Sequence, residues 1–171
     1  FAHIAAHLPA GVRLTVWTDR ALIALQGPAA EGVMARLGPA GVLLPFMGVG
    51  EVAIAGIPCL VSRSGYTGED GFEISAPAAE AERLADTLLA DPDVAPAGLG
   101  ARDSLRLEAG LCLYGNDIDR TTSPVEAALT WTIGKRRRSE WNFPGAERIR
   151  HEIETGTSRL RVGILPEGRA P

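Results

Sequence analysis

The sequence predicts an α+β fold in which helices pack on an antiparallel sheet. Several short segments alternate apolar and polar residues, which is typical of half-buried strands. Segments with helical apolar spacing lie between them, and glycine or proline stands at most of the junctions. In addition, 46% of the 171 residues are hydrophobic, which is enough to build the core of one domain.

The first forty residues predict a helix, two strands and a second helix. Residues 1–8 carry apolar side chains at helical spacing, and a Pro-Ala-Gly sequence ends the pattern. Residues 12–18 alternate as a strand does, and residues 21–26 form a nearly all-apolar run suited to a buried strand. Residues 29–37 then predict a helix that ends at a Gly-Pro pair.

The next part of the chain predicts the rest of the sheet. Residues 51–55 and 57–63 indicate two strands on either side of Gly56, and Pro58 favours a position at the sheet edge. Residues 72–75 alternate again as a strand. We therefore expect these strands to pair antiparallel and to bury one face against the helices.

Four helices and a final strand are predicted after the sheet. The helices begin after Pro77, near Ala101, after the capping sequence that ends at Pro124, and at Gly145. The first of them has a stripe of core residues, namely Ala81, Leu84, Ala85 and Leu88. Residues 160–165 alternate as a strand.

This order of elements predicts two domains. Residues 1–138 are expected to form the α+β domain, incomplete at its N-terminal side, and residues 139–171 a linker helix and the first strand of a truncated β domain. The chain opens inside a helical pattern, and the sequence Arg169-Ala170-Pro171 follows a strand pattern closely. We therefore expect the sequence to be a piece of a longer protein.

Composition argues against several classes of function. A net charge of −4 gives no electrostatic support for nucleic-acid binding, and the apolar runs are too short to span a bilayer. The sequence does not open with a basic segment followed by an apolar one, so secretion is not predicted. Cys59 and Cys112 are isolated, which indicates small buried side chains in a reducing compartment. His3 and His7 are four apart and could chelate an ion, but an ordinary helix surface is favoured. Residues 116–119 lack the glycine and glutamate of a calcium loop, which favours a turn or the start of a helix, so no metal site is predicted.

Residues 63–74 hold the densest group of functional residue types. Gly65, Gly68 and Gly71 recur at a spacing of three and allow tight bends and close approach of a ligand. Glu73 follows on a strand, with its side chain on the face opposite to Phe72 and its apolar neighbour Ile74. Two interpretations remain open: a hairpin with solvated acids, or a site in which Glu73 accepts paired N–H donors of a ligand.

The arginines at 102 and 106 differ in their local partners. They lie four apart on one helix face and repel each other unless an anion lies between them. Asp103 can pair with Arg106 at a spacing of three, whereas Arg102 has no comparable partner nearby in sequence. Arg102 is therefore the better candidate for ligand binding. The basic run 135–138 indicates either a solvated surface patch or a docking site for an acidic partner or a ligand's polycarboxylate tail.

Together these residues predict a pocket for a flat heterocyclic molecule. Glu73 supplies an acid, Arg102 a cation, and Tyr66, Tyr114 and Trp131 supply aromatic surface. No nucleophile–base pair or P-loop accompanies them, so hydrolase and kinase functions have no support.

Three ordered motifs resemble one known family, the aminomethyltransferases, which are the T-proteins of the glycine cleavage system. They are Gly65-Tyr66-Thr67-Gly68-Glu69-Asp70-Gly71-Phe72-Glu73-Ile74, then Gly98-Leu99-Gly100-Ala101-Arg102-Asp103-Ser104-Leu105-Arg106-Leu107-Glu108-Ala109-Gly110, then Leu113-Tyr114-Gly115-Asn116-Asp117-Ile118-Asp119. The resemblance continues through Pro124, Glu126, Trp131 and Gly134-Lys135-Arg136-Arg137-Arg138.

The resemblance implies a ferredoxin-like folate-binding domain of the T-protein type, followed by a C-terminal β-barrel domain. It implies a transferase that takes an aminomethyl group from the lipoyl arm of H-protein and gives ammonia and methylenetetrahydrofolate. By resemblance, tetrahydrofolate is held by Glu73, Arg102 and Tyr66, with Trp131 as a further contact. Tyr114, Asn116 and the basic run 135–138 are weaker candidates for the pocket or for H-protein docking.

The resemblance also places part of the machinery outside this sequence. The family's catalytic aspartate precedes Phe1 and a further folate-contacting arginine follows Pro171, so no catalytic residue is assigned and the fragment is expected to be inactive alone. None of Asp70, Asp103 and Asp117 is assigned that role. The alternative is a folate-binding relative without transferase activity, such as an iron–sulfur assembly factor or the folate-capturing end of an amine dehydrogenase. The expected location is the bacterial cytoplasm, or the mitochondrial matrix for a eukaryotic source.

Overall fold

A computed structural model describes residues 1–165 and 167–168 of the chain. Its contacts divide the chain into two compact units, an N-terminal unit that ends at Arg102 and a C-terminal unit that begins at Asp103. The domain boundary expected at residue 138 stays a prediction. Within the described residues, no helix is long and apolar enough to cross a membrane.

The N-terminal unit contains a four-stranded sheet of order β1-β4-β3-β2 in which every pairing is antiparallel. The strands are β1 (Arg20–Gln26), β2 (Val49–Ile54), β3 (Ile57–Ser62) and β4 (Gly71–Pro77). The predicted α+β fold with an antiparallel sheet is therefore confirmed.

The turn between β2 and β3 explains their tight pairing. Ala55 and Gly56 both have positive φ, at 48° and 79°, as a two-residue hairpin turn of type I′ requires. The edge position expected from Pro58 is wrong for the strand, because β3 lies between β2 and β4. Its pairing with β4 begins only at Leu60, however, so the missing N–H of Pro58 costs no bond to β4.

One face of the sheet forms the core. In β4 the side chains of Phe72, Ile74 and Ala76 are fully buried, whereas the residues between them are only partly buried. Helices α2 (Ala30–Leu37) and α3 (Ala81–Leu89) add Val33, Met34, Leu84 and Leu88 to this core. Both helices had been predicted, and the apolar stripe of the second packs as expected.

Two strand predictions near the N-terminus need correction. Residues 12–18 form no strand and are mostly exposed, because their alternation finds no pairing partner among the described residues. The segment predicted as a buried strand is β1, but it lies at the sheet edge, and Leu22 is 69% exposed. The short helix α1 (Ala2–Ala6) was predicted correctly.

Helix α4 (Leu99–Glu108) follows the first three helices as predicted, and Gly110 after it has a positive φ of 73°. The C-terminal unit then contains α5 (Lys135–Glu140) and α6 (Ala146–Thr155). The helix predicted after Pro124 is replaced by consecutive turns, since Ala128 takes a positive φ of 58° that a helix cannot accommodate.

The capping interaction predicted before those turns is nevertheless present. The Ser123 hydroxyl accepts a bond from the N–H of Glu126, while the Glu126 carboxylate accepts one from the N–H of Ser123. The same carboxylate accepts bonds from Arg159 at 2.7 Å and from Arg148 at 3.0 Å. Glu126, 8% exposed, therefore joins the turn to α6 and to the segment after α6.

The strand predicted over residues 160–165 is not formed. These residues have no regular secondary structure, and the N–H of Arg161 donates to the carbonyl oxygen of Glu126 rather than to a strand. A strand needs a neighbour for its backbone bonds, and none pairs with this segment within the described residues. The sequence Arg169-Ala170-Pro171 lies outside them.

Truncating the core of β4 should destabilise the chain. We expect Ile74→Ala to lower the free energy of unfolding by about 2–5 kcal/mol, because it leaves a cavity under a fully buried side chain. Leu22→Ala on the exposed face is the control and should cost less than about 1 kcal/mol. Urea unfolding followed by circular dichroism measures both values, and equal losses would contradict this core.

Acidification should remove the contribution of Glu126 to the stability of the fold. The bond from Arg159 and the N–H of Ser123 lower its pKa from 4.5 to about 2. Its stabilising effect is therefore present above the ordinary pKa and is lost as the pH falls toward about 2. Glu126→Gln should lower Tm at neutral pH, and its difference from wild type should shrink as the solution is acidified. The exposed Glu147→Gln is the control and should lower Tm at neutral pH less than Glu126→Gln does; a constant Tm difference for Glu126→Gln would refute the mechanism.

Candidate binding site

Glu73 lies where the alternation of β4 predicted, on the sheet face opposite to the core. It pairs with Ala24 of β1 and with Ser62 of β3, and its side chain is half-buried. The Ser64 hydroxyl donates to Glu73 Oε2 at 3.0 Å, and the hydroxyl oxygens of Ser62 and Ser64 are 2.8 Å apart. Two hydroxyls of the preceding segment thus orient the carboxylate.

Arg63 closes the loop that connects β3 to β4, residues 63–70. Its guanidinium forms ion pairs with Asp70 and with Glu31, and it donates to the carbonyl oxygens of Val42 and Leu44 at 3.1 and 3.4 Å. The bonds from Arg63 lower the pKa of Asp70. Asp70 therefore serves the loop closure.

Gln26, the last residue of β1, fills the interior of this loop. Its Nε2 atom donates to the carbonyl oxygens of Ser64 at 3.0 Å and Phe72 at 3.3 Å, and its Oε1 atom accepts a bond from the Thr67 hydroxyl at 3.2 Å. Sequence reasoning missed this residue. The one local signal was an amide side chain that ends an otherwise apolar strand.

Two of the predicted ligand-binding residues, Tyr66 and Arg102, lie in contact. The guanidinium carbon of Arg102 is 4.8 Å from the centre of the Tyr66 ring, which is a cation–π distance. Arg102 is exposed at the start of α4, while Tyr66 is half-buried in the loop. The glycine loop and the helix thus present an aromatic ring and a cation together.

The neighbouring Arg106 has the structural role predicted for it. It is 3% exposed and forms ion pairs with Asp103 and Asp117, and it donates to the carbonyl oxygen of Leu111 at 3.2 Å. The pKa of Asp117 is lowered, first by the N–H of Leu113 and further by Arg106. Asp103 and Asp117 are therefore parts of an ion-pair network.

The remaining candidates belong to the C-terminal unit. Trp131 lies in a 3-10 helix (Thr130–Thr132) and is 74% exposed, and Tyr114 is 62% exposed. In the basic run, Arg138 donates to the carbonyl oxygens of Thr130 and Ile133, and Arg137 donates to the Asn142 side chain at 2.6 Å. Arg137 and Arg138 thus stabilise α5 and the residues on either side of it.

Metal binding has no support within the described residues, where no cluster of histidine, cysteine or acidic side chains could hold an ion. Asp119 instead accepts bonds from the N–H and hydroxyl groups of Thr121 and Thr122, which lower its pKa to about 2. Residues 115–117 form a turn, which is one of the two structures expected in this segment. A shallow concavity over α3, lined by Ala79, Glu82, Arg83, Asp86 and Thr87, contains none of the predicted binding residues.

The arrangement presents groups that are suited to ligand binding. An oriented carboxylate suits paired N–H donors, and a guanidinium on an aromatic ring suits a carboxylate or carbonyl oxygen. The aspartates at 70, 103 and 117 are all engaged by arginines.

Comparison with known proteins identifies a matching family. Residues 1–137 match the GCVT N-terminal domain. The chain is 55% identical over 159 residues to a probable mitochondrial aminomethyltransferase of Schizosaccharomyces pombe, covering 92% of the chain and 41% of that protein. It is 55% identical over 153 residues to the mitochondrial aminomethyltransferase of Homo sapiens, covering 88% of the chain and 38% of that protein. The chain thus spans about two fifths of the length of these relatives.

A solved structure is similar as well. The glycine cleavage system aminomethyltransferase T of Bartonella henselae superposes with a TM-score of 0.72 at 48% sequence identity. The match covers 82% of this chain and 38% of that one. The α+β fold with its four-stranded sheet therefore agrees with a T-protein structure.

Removing Arg63 should loosen the loop. We expect Arg63→Met to lower the free energy of unfolding by about 1–3 kcal/mol, because it leaves two carbonyl oxygens and two carboxylates without their donor. The control is Arg83→Met, which removes an exposed ion pair with Glu80 and should cost less than about 1 kcal/mol. Urea titration gives both values, and a loss at Arg63 no larger than at Arg83 would contradict the role of Arg63.

Proposed function

The chain belongs to the GCVT N-terminal domain family, and from that premise we propose that it carries the tetrahydrofolate-binding residues of an aminomethyltransferase of the glycine cleavage system. One observation carries the proposal. A single loop places the Tyr66 ring under the Arg102 guanidinium and supplies the hydroxyl that orients Glu73.

Glu73 is suited to the aminopyrimidine edge of the pterin ring. A carboxylate has about four lone-pair directions, and the Ser64 hydroxyl uses one of them on Oε2. The others can accept two parallel N–H bonds, which the charge of the carboxylate strengthens. The bond from Ser64 fixes the side-chain rotamer before the ligand arrives, which reduces the entropy cost of binding.

Arg102 is suited to an anionic or carbonyl oxygen of the same ligand. Its guanidinium carbon is 4.8 Å from the centre of the Tyr66 ring, and a guanidinium has five N–H donors with which to bind a ligand oxygen. An Arg–oxygen contact of this kind is frequently bidentate and therefore directional. Trp131, as an exposed aromatic side chain, is proposed as a further contact.

The reaction is transfer of an aminomethyl group from the lipoyl arm of H-protein, with ammonia and methylenetetrahydrofolate as products. Tetrahydrofolate supplies the nitrogen that accepts the one-carbon unit, and the residues described here bind and orient it. H-protein is the proposed macromolecular partner, and Lys135 and Arg136 are candidates for its docking since Arg137 and Arg138 bond within the C-terminal unit.

The relatives favour transferase activity over a folate-binding module without it. The relatives from Schizosaccharomyces pombe and Homo sapiens, which match most of this chain, are both named as aminomethyltransferases. Both are mitochondrial, so the compartment is proposed to be the mitochondrial matrix or the bacterial cytoplasm, both of which are reducing.

Substitution of the proposed binding residues should weaken the binding of tetrahydrofolate. We expect Glu73→Ala and Arg102→Ala each to raise Kd by about tenfold to a hundredfold, because each removes a charge-assisted hydrogen bond. Titration followed by tryptophan fluorescence measures Kd for the 171-residue chain.

Two exposed residues of matching type serve as controls. Glu51→Ala in β2 and Arg83→Ala in α3 change the same charges and should leave Kd within about twofold of wild type. Unchanged affinity in both Glu73→Ala and Arg102→Ala would overturn the assignment of this site.

A further inference from the structure

We propose that Gln26 is the positioning residue of the binding loop, residues 63–70. Its side chain fixes the conformation of this loop and thereby the positions of Glu73 and Tyr66. The proposal rests on the proposed function for what the loop binds. It rests on the structure alone for how the loop is held.

Three polar contacts connect Gln26 to two residues of the loop and to the start of β4. Nε2 bonds to the carbonyl oxygen of Ser64 at the start and to that of Phe72 just beyond the end. Oε1 accepts the Thr67 hydroxyl in the middle. Both polar atoms of the side-chain amide thus form hydrogen bonds, the nitrogen as a donor and the oxygen as an acceptor.

Gly65 in the loop is explained by the same side chain. A Cβ atom at Gly65 would lie 1.8 Å from Gln26 Oε1, whereas one at Gly71, the first residue of β4, would lie 2.6 Å from both Gln26 Nε2 and the carbonyl oxygen of Leu25. Neither glycine has a positive φ, so at Gly65 the backbone itself would accept another residue. The amide of Gln26 is therefore what excludes a side chain there.

The link to ligand binding runs through Ser64. Gln26 holds the Ser64 carbonyl, and the hydroxyl of the same residue donates to Glu73 Oε2. Tyr66 lies between the two loop residues that Gln26 bonds, and its ring carries Arg102. A displaced Gln26 amide would therefore shift an oriented carboxylate and an aromatic surface together.

The first test replaces the donor while keeping the shape. Gln26→Glu puts a carboxylate oxygen against two carbonyl oxygens, so we expect the Kd for tetrahydrofolate to rise about tenfold and the amides of residues 64–70 to exchange hydrogen faster. Ile57→Val, a core change in β3, is the control and should lower Tm without changing Kd. Wild-type affinity and exchange in Gln26→Glu would overturn the proposal.

The second test is a double-mutant cycle between Gln26 and Gly65. Gly65→Ala alone should raise Kd about tenfold, because the new methyl group displaces the amide from its partners. In a Gln26→Ala background the same change should raise Kd less than about twofold, since the clashing atoms are gone. Effects that multiply independently would overturn the proposal.

The two proposals fail separately. If Glu73→Ala loses tetrahydrofolate binding while every Gln26 variant behaves like wild type, the positioning role of Gln26 is overturned. The assignment of Glu73 to the binding site is then still supported. If the wild-type chain does not bind tetrahydrofolate, the proposed binding function fails, and hydrogen exchange of residues 64–70 in the same cycle still decides the role of Gln26.

Discussion

The N-terminal unit depends above all on the pairing of β4 with two neighbours. β4 pairs with β1 along its whole length, Arg20 with Pro77 through Gln26 with Gly71, and with β3 from Leu60 to Ser62. Because side chains alternate along a strand, this pairing buries Phe72 and Ile74 and turns Glu73 to the other face in the same step. A one-residue slip would exchange those faces, so the core holds the Glu73 carboxylate in register.

The loop before β4 is held by side chains rather than by sheet bonds. Arg63 closes its neck through ion pairs and two carbonyl oxygens, and the amide of Gln26 fills its interior. Both are partly shielded from water, which makes their hydrogen bonds more costly to break than those of fully exposed side chains. The loop can therefore present polar groups outward while its own backbone stays fixed.

Sequence reasoning succeeded where the deciding contacts are local. The orientation of Glu73 followed from alternation along one strand, and the pairing of Arg106 with Asp103 followed from helical spacing. It failed where distant partners decide: residues 12–18 alternate well but have no partner strand among the described residues, and Gln26 bonds to residues 38 to 46 positions away. Ser123 and Glu126 form the predicted cap, yet turns replace the helix that was expected to follow, because Ala128 has a positive φ.

The packing of Gln26 against two glycines also restricts how this sequence can vary over evolutionary time. A larger residue at 65 would meet the Gln26 amide and is best accommodated by a shorter residue at 26, whereas one at 71 would also meet the backbone oxygen of Leu25. A single substitution at 65 passes through a poorly fitting loop, whereas a paired change at 26 and 65 avoids it. Positions 26 and 65 are thus expected to vary together among proteins that keep this loop, although they lie far apart in the chain.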